Sequence, residues 1–379
     1  MVAVGSTLIA NRVLGIDGGG TKLTAYVARP DEVGGEPVQR FSFRCADYRS
    51  LAEIIREVKL KSGHKITDAC IAIAGPVSNG RVIVSKLDWT EITEGDLADQ
   101  LGIDKSNVTL VNDIVGQGAS LSVLPMSPSH VYHFTRTGPF NGFRSQGKWS
   151  VIAPGTGLGK SDVFFGNDGK VRISDSEGGG IRFGPDPSDE DQFKLLAYIL
   201  RKKRAEAATQ SNGPRRKNPD FISQDDVLKG AALKTMYDFF VSEYPDEGEP
   251  LWLYEAFQKE GDPNSVITKA ALGEFEGKTS THCTLAYMLY CSILGSVIGD
   301  EAVRVKGGVA ICGGIFPKIA GGIEKTQFMK AYLGRNEFSV EELVSKKPVV
   351  GIVTSDGGVI GATEMAKPIN KETFEVISS

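Results

Sequence analysis

Val13-Leu14-Gly15-Ile16-Asp17-Gly18-Gly19-Gly20-Thr21-Lys22-Leu23-Thr24-Ala25-Tyr26-Val27 is the stretch whose reading decides the fold. An apolar run ends in Asp17, three glycines and a threonine follow, and a second β-type run begins. Two strand signals a short glycine turn apart predict a hairpin, not a strand entering a helix. Gly18, Gly19 and Gly20 let the backbone turn sharply and bring N–H groups close to an anion. Thr21 and Lys22 add a hydroxyl and a cation at the mouth of the turn. Asp17, at the strand end, has the chemistry to hold a metal-bound water. Taken alone, the stretch reads equally well as an ordinary glycine hairpin with a solvated lysine, because short glycine motifs are common.

The same theme recurs along the chain. Trp149 to Ala153 runs into Pro154-Gly155-Thr156-Gly157-Leu158-Gly159, a hairpin is predicted around Asn167-Asp168-Gly169, and Glu177-Gly178-Gly179-Gly180 follows. Gly307-Gly308-Val309-Ala310-Ile311-Cys312-Gly313-Gly314 reads as a strand running into a glycine pair. Four glycine turns thus follow four apolar strands, a weak internal duplication. Together they point to a nucleotide held between two domains by backbone amides. A dinucleotide-binding Rossmann site is the rival reading. Against it, no GxGxxG opens a helix at Gly18 to Gly20, strand-like Asp162-Val163-Phe164-Phe165 follows Gly159, and GxxxxGK[ST] is matched at none of these turns.

Between the turns, Leu51, Ile54, Ile55 and Val58 set a helical period within 48–61. Ala69 to Ala74, closed by Gly75-Pro76, and Val108 to Val111, ending in Asn112-Asp113, read as buried parallel strands. A helix over 93–102 has Thr93 as its cap. From about Gln192 the pattern turns helical, with helices predicted over 225–240, 265–273 and 280–299. A last strand over 348–354 precedes a closing helix over 358–366. A β-heavy opening followed by alternating helices and strands predicts layered α/β architecture.

A chain of 379 residues suits roughly two domains of about 150 residues each. The formal charge of −4 gives no indication of nucleic-acid or membrane partners. The basic clusters Arg201 to Arg204 and Arg215 to Lys217 read as a solvated helix end and loop rather than a nucleic-acid patch, because no aromatics interleave with them. Five scattered cysteines without CxxC spacing are expected to be reduced, buried thiols in a cytoplasmic protein. Residues 1–11 lack the pattern of a signal peptide. The longest mostly apolar stretch, Leu285 to Ile298, is shorter than a membrane span and is expected to be a buried helix.

The acids supply the chemistry. Asp113 ends a buried strand, where a carboxylate aimed into a cleft suits a general base for a hydroxyl; the plain alternative is a helix N-cap. Glu177 precedes three glycines, so it can approach a ligand closely; the plain alternative is an exposed turn acid. His64, His130, His133 and His282 adjoin no glycine turn, and no nucleophile set is apparent, which disfavours covalent catalysis. Direct phosphoryl transfer, which needs donors around the phosphates and a base to orient the attacking hydroxyl, fits these parts best.

In these motifs the chain resembles the hexokinase–actin–heat-shock ATPase superfamily and, within it, the bacterial-type glucokinases. Asp17 to Thr24 is similar to the first phosphate motif, and Asn112-Asp113 to the strand end carrying the catalytic aspartate. Ala153 to Gly159 resembles the second phosphate motif, Glu177-Gly178-Gly179 with Phe183-Gly184-Pro185 the sugar segment, and Gly308 to Pro317 the adenosine motif. The likeness spans about 12–368. It implies a two-domain α/β, ribonuclease-H-like (actin-like ATPase) fold with a nucleotide and sugar cleft. The smaller domain would comprise 12–111 and 356–379, the larger 112–355.

By the same resemblance, Asp113 deprotonates the 6-hydroxyl of glucose and Asp17 helps to place Mg²⁺. Gly19, Gly20, Thr21, Lys22, Gly155, Thr156, Gly157, Gly313 and Gly314 surround ATP. Gly75, Pro76, Asn112, Glu177 and Asp225 border the sugar. The chain departs from the family pattern at three sugar positions. Gly180 stands where a histidine is usual, Lys86 where an asparagine is usual, and Asp225 where a glutamate is usual. Each alters a hydrogen bond to sugar hydroxyls. The zinc motif of the related repressor and kinase branch is lacking. A kinase for an N-acetyl amino sugar and a non-catalytic sugar sensor of the same fold stay open, as does a homodimer.

Overall fold

The computed structural model describes residues 10–377 apart from 85, 86, 88, 146, 210–217 and 246–247. Lys86 and the basic cluster at 215–217 therefore lie outside the described residues. In order, the first part of the chain comprises β1 (Asn11–Gly18), β2 (Lys22–Ala28), β3 (Gln39–Arg44), α1 (Leu51–Ser62), β4 (Lys65–Ile73), β5 (Val77–Ser78), β6 (Arg81–Val82), β7 (Ile92–Thr93), α2 (Glu94–Leu101), β8 (Val108–Asn112) and α3 (Asp113–Ser120). Next come β9 (Val131–His133), β10 (Lys148–Pro154), β11 (Leu158–Phe165), β12 (Val171–Ser176), α4 (Glu190–Thr209), α5 (Gln224–Leu228), α6 (Ala232–Glu243), α7 (Leu251–Lys259), α8 (Pro263–Leu272) and α9 (Thr281–Arg304). The last part holds β13 (Gly308–Ile311), α10 (Phe316–Ile319), α11 (Phe328–Leu333), α12 (Phe338–Ser345), β14 (Val349–Ile352), α13 (Gly357–Ala366) and β15 (Phe374–Val376).

The duplication hinted at by the glycine turns is a repeated sheet. The first sheet has the order β3-β2-β1-β4-β8, and the second contains β12-β11-β10-β13-β14, extended by β15 at one edge and β9 at the other. In each, a hairpin and a third antiparallel strand are followed by two parallel strands. The central strands are buried on both faces, which is why they read as nearly continuous apolar runs.

The two sheets share an inner layer. One continuous apolar cluster holds Val13 and Val111 from the first sheet and Val151, Val163 and Val350 from the second, with Ile114 and Val115 of α3 and Ala362 of α13 between them. These two helices cross at glycines. A β-carbon on Gly361 would lie 1.9 Å from Gly116 O, so neither position has room for a side chain. On the outer face of the first sheet, α1 buries its predicted stripe of Leu51, Ile54, Ile55 and Val58, between a Ser50 cap and a left-handed Gly63. The outer face of the second sheet is covered by the helical segment, whose axis is α9. By length and composition α9 could cross a membrane, longer than the apolar stretch read from the sequence, but most of it is buried inside the fold. All five cysteines are buried and free.

Two expectations are corrected. The helix predicted over 225–240 is two helices, broken at Lys229, whose backbone is extended. The end of the chain is also divided. Helix α13 packs on β1, β4 and β2, but β15 pairs with β12 of the second sheet, so 356–379 is not one piece of the smaller domain.

Candidate active site

The opening stretch is the predicted hairpin. Asp17 faces Thr24 and Gly18 faces Leu23 across β1 and β2, and Gly19 N–H closes the turn on Lys22 O at 3.1 Å. Cys45 N–H donates to Thr21 O at 3.0 Å, holding the turn from outside. The Asp17 carboxyl rests against the start of α13. A β-carbon on Gly358 would stand 2.3 Å from Asp17 Oδ2 and 2.8 Å from Gln117 Nε2, so Gln117 of α3 crowds the same spot. Burial pushes the Asp17 carboxyl up to about 7; the charges of Asp113 and then Asp356 push the same way, against Lys22. Asp356 is fixed by Tyr26 Oη, which donates to Oδ2 at 2.7 Å, and by Arg40 Nη2, 2.6 Å from Oδ1.

The strand end at Asn112-Asp113 is also resolved. The N-cap of α3 is Asn112, whose Oδ1 accepts from Ile114 N–H at 3.0 Å, and Asp113 is the first helical residue. Capping is thus not the task of Asp113. Asn112 Nδ2 donates to Gly75 O at 2.7 Å, tying the Gly75-Pro76 turn to the same strand end. Gly75 has φ of +137°, and a β-carbon there would meet Val82 Cγ2 at 2.9 Å, so only glycine makes this turn without strain.

The second glycine turn, 154–159, is where the remaining elements converge. Gly155 N–H donates to Gly157 O at 2.8 Å across it. Ile114, next to Asp113, packs on it: a β-carbon on Gly159 would be 3.1 Å from Ile114 Cδ1. The short helical turn after Glu177 packs on it as well, since a β-carbon on Gly179 would lie 2.2 Å from Leu158 O. A β-carbon on Gly313 would lie 2.8 Å from Pro154 O, which sets the turn before α10 beside it. Asp113, Glu177, Gly155 to Gly159 and Gly313 therefore share one neighbourhood, and Asp17 joins it through its charge interaction with Asp113.

Within the glutamate turn the three glycines are not alike. Gly178 and Gly179 are pressed against Lys160 and Leu158, while a β-carbon on Gly180 meets nothing within 4 Å. Asp225 is engaged by protein donors on both oxygens: Leu158 N–H reaches Oδ1 at 2.8 Å, and Lys229 Nζ lies 3.4 Å from Oδ2. Sequence reasoning missed Gln117, Asp356 and Gly358. Gln117 carried a signal, one helical turn beyond Asp113 on the same face. Gly357-Gly358 is a further glycine pair, a few residues beyond the last predicted strand.

The residues fit a magnesium nucleotide in a particular way. Among the described residues no three acids, histidines or cysteines are grouped to hold an ion. Asp17 is, however, a buried carboxyl that feels the negative charge of Asp113 and Asp356, and a cation in the cleft would relieve that repulsion. Mg²⁺ is commonly bound through one or two carboxylates, water and substrate phosphates.

Fold and site define a phosphotransferase of the two-domain actin-like ATPase type. Its relatives are sugar kinases: the glucokinase family model matches residues 14–369. The chain belongs to the glucokinase family. It is similar to the glucokinase of Nostoc punctiforme, 29% identical over 360 residues that cover 91% of this chain and 96% of that protein. In fold it is similar to a glucokinase from Balamuthia mandrillaris solved with glucose, with a TM-score of 0.72, 17% identity and 96% of each chain covered. A glucokinase from Streptomyces griseus solved with glucose and AMPPNP gives a TM-score of 0.60 at 17% identity, covering 93% of this chain and 98% of that one.

Proposed function

We propose that this chain transfers the γ-phosphoryl group of ATP to the 6-hydroxyl of glucose, giving glucose 6-phosphate, in the cytoplasm. The observation that carries the reading is the contact between Ile114 and Gly159, which brings Asp113 to the side of the second phosphate turn. Asp113 orients the sugar hydroxyl and accepts its proton as the oxygen attacks phosphorus. Asn112, Gly75-Pro76 and Glu177 border the sugar. The glycine turns at 18–20, 155–157 and 313–314, with Thr21 and Lys22, surround the nucleotide and present N–H groups to its phosphates. Asp17, with Asp113 and Asp356 near it, would hold a water of the magnesium ion that neutralises those phosphates. Closure of the two domains on the sugar would exclude water from the transfer.

A coupled ADP-release assay over a panel of sugars tests this. Glucose is expected to raise ADP release far above the rate without sugar; no response to any hexose contradicts it. The open space at Gly180 favours one second reading, a kinase for an N-acetyl amino sugar, whose acyl group would occupy that space. Higher kcat/KM on N-acetylglucosamine or N-acetylmannosamine than on glucose would select it.

A further inference from the structure

The second phosphate turn is gripped from behind by the break between α5 and α6. Leu158 N–H donates to Asp225 Oδ1 at 2.8 Å, and Gly230 N–H donates to Gly155 O at 2.7 Å. One bond is made to each end of the turn. The peptide joining Gly157 to Leu158 is thereby pinned twice, its carbonyl by Gly155 N–H and its own N–H by Asp225. The N–H groups of Thr156 and Gly157 lie between the pinned points.

The gripping segment is itself immobilised. Gln224 Oε1 accepts from the buried Lys160 Nζ at 2.7 Å, Tyr290 Oη donates to Leu228 O at 2.8 Å, and Ser223 with Asp226 forms a capping box. Lys229 Nζ, 3.4 Å from Asp225 Oδ2, offsets the charge of that carboxylate. The break in the helix thus has a use. A continuous helix would pair Gly230 N–H internally and leave Gly155 O without this donor.

From this arrangement we infer that Asp225 is a positioning residue for the nucleotide, acting through the Leu158 amide. The inference deepens the kinase reading above and rests on it for what the turn binds. A carboxylate accepting from a backbone N–H makes a charge-assisted bond, among the stronger ones available to a short loop.

The test measures KM for ATP and for glucose independently, with the dissociation constant for ADP by calorimetry without sugar, in wild type, Asp225→Ala and Asp225→Asn. Asp225→Ala is expected to weaken ADP binding and raise KM for ATP about ten-fold, the loss of one hydrogen bond to a charged group. KM for glucose should stay within about two-fold. Asp225→Asn, whose amide oxygen still accepts, should recover most of the nucleotide affinity. An unchanged ADP constant with a raised KM for glucose overturns the inference and returns Asp225 to the sugar. If wild type turns over no sugar, the kinase reading fails while the ADP comparison still decides the clamp. Should Asp225→Ala not fold, Gly230→Ala places a β-carbon 3.2 Å from Gly155 O and disturbs the other bond. It is expected to weaken ADP binding several-fold, and unaltered affinity overturns the clamp.

Discussion

Asp17 and Gly358, more than 300 residues apart in sequence, touch so closely that a β-carbon on Gly358 would lie 2.3 Å from the Asp17 carboxylate. Asp17 of the first sheet is thus seated on the first turn of the helix that packs between the two sheets. Gly358→Ala should displace that carboxylate, lowering kcat about ten-fold or more and costing about 1–3 kcal/mol of stability through overpacking. Kinetics and thermal unfolding of the variant check both. A variant with wild-type kcat would show that the position of Asp17 is immaterial.

Asp17 also predicts a pH dependence. Its carboxyl is raised from 3.8 to about 7 in the fold, so between those values the folded chain holds a proton that the unfolded chain releases. Its contribution to stability is present below about pH 4 and is lost as pH rises through about 7. Asp17→Asn removes a charge that the fold disfavours. Its Tm relative to wild type should therefore be higher at pH 8 than at pH 5, while its turnover with magnesium ATP falls. Equal Tm differences at the two pH values would remove Asp17 as the titrating group. In wild type, kcat/KM for ATP should decline below about pH 7 as Asp17 takes up its proton.

Asp113→Asn should lower kcat by about 10²–10⁴-fold, the usual contribution of a positioned base, with KM for sugar changing little. Near-normal kcat would exclude Asp113 as the base. Asn112→Ala is expected to act differently. It removes the cap of α3 and the bond to Gly75 together, so it should lower stability by about 1 kcal/mol and raise KM for sugar. Thermal unfolding and sugar kinetics separate the two effects.

Gly180 is the glycine of the 177–180 turn with room for a side chain. Gly180→His should fold with near-wild-type Tm and shift kcat/KM towards glucose relative to N-acetyl amino sugars. Gly179→Ala, forced to within 2.2 Å of Leu158 O, should lose stability instead. If both variants behave alike in Tm and in specificity, the distinction between the two glycines has no functional meaning.

Much of this was legible in the sequence because short-range patterns carried it. The hairpin at Gly18 to Gly20, the stripe of α1, the Thr93 cap and the strand that ends just before Asp113 all follow from neighbours a few residues apart. The break at Lys229 was hidden because apolar residues on both sides, Val227 and Leu228 and then Leu233 and Met236, continue a helical period. What opens the helix there is a distant bond, from Gly230 to Gly155. The setting of Asp17 was hidden for the same reason, since Asp356 and Gly358 come from the far end of the chain. The partner of Asp225 was hidden too, since nothing beside Val227-Leu228 points to Leu158, far away in the chain.

Phosphoryl transfer here requires Asp113 to face both a sugar hydroxyl and the nucleotide phosphates across one cleft. A crystal structure with glucose and a non-hydrolysable ATP analogue tests this most directly. The glucose 6-oxygen should lie about 3 Å from an Asp113 carboxylate oxygen, in line with the γ-phosphorus, with the phosphates against the N–H groups of 155–157. Glucose bound with its 6-oxygen beyond hydrogen-bond reach of Asp113, or phosphates remote from 155–157, would contradict it.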